Sequence, residues 1–260
     1  MPLTRRQLIG SAIAATTLAS PGHASTARGD YITYPPDVPR VGANPVYEEP
    51  MSIGETLDLD HAGRKRQVHL YVPQGADGPR RSLLLLHGAQ RTGRSMLDMW
   101  QAAADRSGMV LIAPDALGDG WSPDTDPPLF LIDALNATAG HVALDPDGVA
   151  MFGHSSGGML AQLYANRVAG PWRAVATHGA ALQVESLQNP AAAPVPIRLY
   201  IGADDHLFPP SRTRLTVDRL AAAGHPAEMI GITGHTHWYY TIGPWLAGDC
   251  LDWMKTHGLG

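Results

Sequence analysis

Between residues 82 and 232 the chain repeats one pattern: a short, unbroken apolar run that stops at a glycine or aspartate, then a stretch of helical periodicity. The runs are "SLLLLHG", "MVLIAPD", "GVAMFG", "RAVATHG", "VPIRLYIGADD" and "AEMIGITG". A strand with one wet face alternates apolar and polar residues. Four consecutive leucines at 83–86 leave no polar face, so that strand must be buried on both sides. The stretches between read as helices: residues 92–106, "PPLFLIDALNATAGHV" with prolines suited to a first turn, "GGMLAQLYANRVA", and "SRTRLTVDRLAAAG" with a glycine stop. Strands separated by helices of this length specify right-handed βαβ units. The expected fold class is α/β, a mostly parallel central sheet with helices on both faces.

Two further elements frame this region. "GETLDLDHAGRKRQVHLYVP" alternates around the turn signal Asp60-His61-Ala62-Gly63 and reads as an N-terminal antiparallel hairpin. A helix is expected at about 243–257, with Cys250, the chain's single cysteine, as a small buried hydrophobe. No repeat or linker interrupts residues 51–260, which are read as one domain. Residues 28–50, rich in Pro, Tyr and Gly, read as an extended lead-in wrapped on the surface.

The first 27 residues differ from the rest. Arg5-Arg6 precede a short apolar stretch and a small-residue end near Ala24 or Ala27, the marks of a secretory signal; paired arginines before Gln-Leu-Ile resemble the twin-arginine type. The expectation is a signal peptide over 1–27 and a periplasmic or secreted product. The apolar stretch is too short to span a bilayer, so no stable membrane insertion is expected after its removal. Net charge is −5, and losing two arginines gives −7. With no long basic block, a nucleic-acid partner is not expected. The short run Arg64-Lys65-Arg66 reads as a solvated hairpin arm.

Chemistry gathers at the strand ends. "GVAMF" feeds Gly153-His154-Ser155-Ser156-Gly157 and a helix starts at once. Strand, sharp turn, helix is the arrangement that exposes a nucleophilic serine at the carboxyl edge of a sheet. A serine hydroxyl needs a histidine to take its proton and a carboxylate to orient that histidine. Later strand ends supply both in order: Asp204 and Asp205, then His235 and His237. The oxyanion of a tetrahedral intermediate would be held by the backbone N–H of Ser156 and by that of Ala89, with Gln90 close behind, in the loop "LLHGAQRTG". His87 is read as a buried support of that loop. Two histidines without a third ligand do not make a metal site, and this chemistry needs no cofactor.

"LLLLHG", "APDALGDGW", "DPDGVAMFGHSSGGML", "IGADDHLFP" and "GHTHWYY" together resemble the α/β-hydrolase serine esterases of the polyhydroxybutyrate-depolymerase and feruloyl-esterase type, over roughly residues 66–255. That resemblance implies the α/β-hydrolase fold. It selects Asp205, through Gly202, Asp205 and Pro209, over Asp204, and it selects His237, through Gly234, Tyr239 and Tyr240, over His235. It also implies places near the substrate for Trp121 and Trp238. The implied activity is hydrolysis of carboxylic esters, small or polymeric, by way of an acyl-enzyme. An amidase or peptidase would use the same residues, and a non-catalytic binding protein could keep the fold. Between "RAVATHG" and "VPIRLYIG" only some fifteen residues are available, too few for a large cap domain. Oligomeric state is not legible.

Overall fold

A computed structural model describes residues 29–34, 45–75, 78–187 and 193–259. The expected signal peptide lies outside them. The elements run β1 (Asp30–Tyr34), β2 (Glu55–His61), β3 (Arg64–Tyr71), β4 (Arg80–Leu86), α1 (Gly93–Ser107), β5 (Val110–Pro114), α2 (Pro128–Ala139), β6 (Leu144–His154), α3 (Ser156–Arg167), β7 (Trp172–His178), β8 (Ile197–Gly202), α4 (Pro210–Ala222), β9 (Ala227–Ile232) and α5 (Gly243–Thr256). Single 3₁₀ turns occupy Val184–Leu187 and Tyr239–Thr241.

Among the described residues nine strands form one sheet in the order β1-β9-β8-β7-β6-β4-β5-β3-β2. Only β2/β3 and β3/β5 pair antiparallel; every other pair is parallel. The leucine run of β4 shows why the sheet is double-faced. Leu84 and Leu86 join the core beneath α2, α3 and α4, while Leu83 and Leu85 join the core beneath α1 and α5. Period two along one strand thus feeds two cores. The hairpin turn forms as expected, with Ala62 and Gly63 both at positive φ (53° and 76°), the backbone of a type I′ turn. Cys250 is fully buried in α5.

Two expectations change. Part of the lead-in is a strand: β1 pairs in parallel with β9 and forms one edge of the sheet. Farther on, Tyr47 stacks on Tyr240 with centroids 4.0 Å apart. The basic run is not uniformly solvated. Lys65 is exposed, but strand alternation turns Arg66 to the side shared by Leu57, Leu59 and Val68, where it is buried. Its guanidinium donates to Asp126 at 2.5 Å and to the Asp115 carbonyl at 2.8 Å, and lies over the Phe130 ring. A buried charge is tolerable only with such pairing.

The topology fixes where a site can form. From β4 the chain steps to β5 on one side, then crosses back through α2 to β6 on the other. Loops leaving β4 and β6 therefore diverge and open a crevice at the carboxyl ends of the strands.

Candidate active site

Ser155 stands in that crevice, directly after β6 and one residue before α3. Its backbone has φ 52° and ψ −118°, a conformation natural to glycine and costly for any residue with a Cβ. The flanking glycines make the turn possible. A Cβ on Gly153 would lie 2.5 Å from the Gly157 carbonyl carbon, and one on Gly157 would lie 2.6 Å from the His87 carbonyl oxygen. The Ser155 N–H donates to the His178 carbonyl at 2.9 Å, tying the turn to the end of β7.

The loop after β9 brings His237 across to the serine. Ser155 Oγ and His237 Nε2 are 3.1 Å apart, and His237 Nδ1 lies 2.8 Å from Asp205 Oδ2. The other Asp205 oxygen accepts the N–H groups of Leu207 and Phe208, each at 2.9 Å. Burial raises the Asp205 carboxyl, but the bonds from His237, Phe208 and Leu207 outweigh it and hold the acid below its ordinary range. Phe208 stacks on the His237 ring at 5.5 Å. Of the two candidate pairs, His237 meets the serine and Asp205 meets His237. His235 instead turns inward, buried, with Nε2 against His178.

The loop after β4 closes the other side. A Cβ on Gly88 would lie 3.6 Å from the Ser155 Cβ, and one on Gly120 would lie 3.5 Å from the Ala89 Cβ and 3.2 Å from the Ser156 Oγ. Ala89 and Ser156 thus share one small space beside Ser155. Ser156 opens α3, so its N–H has no intrahelical acceptor. Gln90, at φ 61°, donates its N–H to the Asp119 carbonyl at 2.6 Å, which removes it as a second free donor. His87 supports the loop as expected: its buried ring accepts the Ala116 N–H at Nε2 (3.0 Å) and contacts the Gly88 carbonyl through Nδ1 (2.8 Å). Burial pushes it below the ordinary histidine range.

Trp121 is buried and joins the core beneath α2, α3 and α4. It is 8% exposed, donates its indole N–H to the His87 carbonyl at 2.9 Å and packs near Phe130. Its place is explained by that bond, which braces the loop from the core side. Trp238 is half-buried, edge-on to Tyr240, with the Arg91 guanidinium 5.9 Å from its ring.

Some contributors escape a linear reading. Gly179 has φ 58°, and a Cβ there would lie 2.8 Å from His237 Cε1 and Nδ1, so its smallness makes room for the ring. Buried Gln162 donates to Thr177 and the Ala180 carbonyl and accepts from Leu182 N–H, pinning the loop after β7. A glycine ending an apolar run was a visible signal for Gly179; nothing in the local sequence marks Gln162. Among the described residues, no group of three or more His, Cys, Asp or Glu is arranged to hold a metal, and no helix is long and apolar enough to cross a membrane.

The fold is that of the α/β hydrolases. The model of the alpha/beta hydrolase family matches residues 83–182, from β4 to the loop after β7. By sequence the chain is similar to "Putative esterase NocK" of Nocardia uniformis subsp. tsuyamanensis, 28% identical over 182 residues, covering 64% of this chain and 53% of that protein. The chain thus spans about half the length of that relative. By structure it is similar to Thermogutta terrifontis esterase 2 phosphonylated by cyclosarin (TM-score 0.64, 14% identity, 81% of this chain and 96% of that one). It is also similar to a ferulic acid esterase (TM-score 0.63, 18% identity, 78% and 97%). At these identities the structural likeness is one of fold.

Proposed function

We propose that this chain is a serine esterase that hydrolyses carboxylic esters through an acyl-enzyme, and that residues 1–27 direct its export. The observation that carries the reading is the continuous line from Ser155 Oγ through His237 to Asp205, with contacts of 3.1 and 2.8 Å, meeting on a strained turn. His237 Nε2 takes the hydroxyl proton as Ser155 Oγ attacks the ester carbonyl. Asp205 holds the Nδ1–H tautomer and stabilises the charged ring. The amides of Ser156 and Ala89 hold the oxyanion, aided by the amino terminus of α3. His237 then returns the proton to the departing alcohol, and water activated by the same ring releases the acid.

The surroundings of the site bear on substrate size. Among the described residues, the loop between β7 and β8 carries a single 3₁₀ turn, Val184–Leu187. A crevice that no cap covers among the described residues suits short-chain, aryl or feruloyl esters and hydroxyalkanoate polyesters alike. The test is hydrolysis of these four ester groups, beside matched amides, by the wild type and Ser155→Ala. We expect ester turnover that falls at least about a thousandfold in the variant, the scale of losing a nucleophile. Retention of more than a tenth of wild-type turnover would overturn the reading.

A further inference from the structure

Behind the base lie three buried histidines that the steps above do not use: His154 at the end of β6, His178 at the end of β7, and His235. They touch end to end. His154 Nδ1 is 3.1 Å from His178 Nδ1, and His178 Nε2 is 3.0 Å from His235 Nε2. The parallel register that pairs residue 154 with residue 178 brings the first two together. The His154 ring centre lies 5.1 Å from that of His237 and 4.9 Å from that of Tyr239.

Each of these contacts requires one protonated and one bare nitrogen. His154 Nδ1 also lies 3.3 Å from the His178 carbonyl oxygen. A bare nitrogen there would face an oxygen lone pair, whereas a protonated one donates to both acceptors of residue 178. That choice propagates. His178 accepts at Nδ1 and so carries its proton on Nε2; His235 accepts at Nε2 and so carries its proton on Nδ1, a buried atom with no hydrogen-bond partner. All the hydrogen bonds point away from the reacting serine, and His154 Nε2 is left bare. That nitrogen lies toward the loop after β4, where a Cβ on Gly88 would lie 3.3 Å from it and 3.6 Å from the Ser155 Cβ.

We propose that His154, His178 and His235 form a neutral, one-way imidazole chain that positions His237 and favours its charged form during turnover, an inference that rests on the role given to His237 above. The chain's dipole has its negative end beside His237, where positive charge develops, and a fixed dipole there needs no reorganisation. The chain acts only while neutral. Burial holds His154 and His178 well below the ordinary histidine range and brings His235 down to about 4. The groups facing it agree with that state. His87 and His237 would repel a second cation, Tyr239 and Tyr240 stay protonated through burial, and Asp204 and Asp205 bear only on the His235 end.

Long-range ¹H–¹⁵N NMR on the folded protein at neutral pH reads each tautomer without reference to activity. The expected pattern is a proton on Nδ1 of His154, Nε2 of His178 and Nδ1 of His235. The opposite pattern, or a doubly protonated ring among the three, overturns the chain. The positioning role is read from the pH profile of kcat/KM. His235→Leu removes the acceptor for His178 Nε2–H, while His235→Gln keeps an oxygen near the same place. With the chain broken, positive charge on the ring is less favoured, so the acid limb of kcat/KM moves to lower pH in the Leu variant. The Gln variant restores it. A wild-type acid limb in His235→Leu overturns the positioning role. A wild type that shows the expected tautomers yet hydrolyses no ester would instead overturn the esterase reading.

Discussion

Ser155 carries a backbone conformation that only glycine adopts without cost, and this makes a stability experiment decisive about the turn. At φ 52° and ψ −118° the residue stores strain on the order of 1–3 kcal/mol. Ser155→Ala removes the hydroxyl but keeps the Cβ and therefore the strain. Ser155→Gly removes both. Glycine gives back about 0.5–1 kcal/mol through the greater freedom of the unfolded chain. The net expectation is that Ser155→Gly is more stable than Ser155→Ala by about 0.5–2 kcal/mol. For a domain of this size that is roughly 1–8 °C in Tm. Thermal unfolding of both variants, followed by circular dichroism or calorimetry under identical conditions, measures the difference. Both variants lack the Ser155 hydroxyl, so the comparison isolates the backbone of the turn. An equal or lower Tm for the glycine variant would refute the claim that the elbow is strained, and with it the explanation of why Gly153 and Gly157 flank it.

Other outcomes follow from the same geometry. His237→Ala should cost at least about a hundredfold more in kcat/KM than His235→Ala, and Asp205→Asn more than Asp204→Asn, because only the first of each pair lies in the line to Ser155. If His235→Ala is the inactive variant, the base has been misassigned. Asp205 is held below its ordinary range in the folded protein. Its contribution to stability is therefore present above the unfolded value of about 3.9 and is lost as pH falls through the folded value. The Tm gap between wild type and Asp205→Asn should accordingly narrow in acid; a gap equally wide at pH 7 and pH 3 would contradict the shift. Rates on a short-chain ester should rise smoothly as the substrate passes its solubility limit. A sharp rise at the onset of droplets would reveal a lid.

What could be read from the sequence, and what could not, divides along local and non-local lines. The β4 leucines announced a strand buried on both faces, and the glycines around Ser155 announced a turn too tight for side chains, because both signals lie within a few residues. β1 was read as lead-in since "DYITY" lacks an apolar face of its own and becomes a strand only by pairing with β9, about two hundred residues away. Arg66 was misread for a related reason: its counter-charge, Asp126, sits on a distant loop. The resemblance gives Trp121 a place near the substrate, but its indole bond to the His87 carbonyl and its place in the core come from a non-local contact that no short stretch of sequence shows. The histidine chain was invisible because its members come from three strand ends, and only sheet register brings them into contact.

The proposed esterase activity rests on acylation of Ser155. The most direct measurement is covalent: react the folded protein with a fluorophosphonate, digest it, and locate the adduct by tandem mass spectrometry. One equivalent should be found on Ser155, within the peptide that spans the end of β6 and the start of α3, and His237→Ala should slow its formation at least about a hundredfold. An adduct on Ser156 or elsewhere, or a folded protein that forms none, would contradict the account.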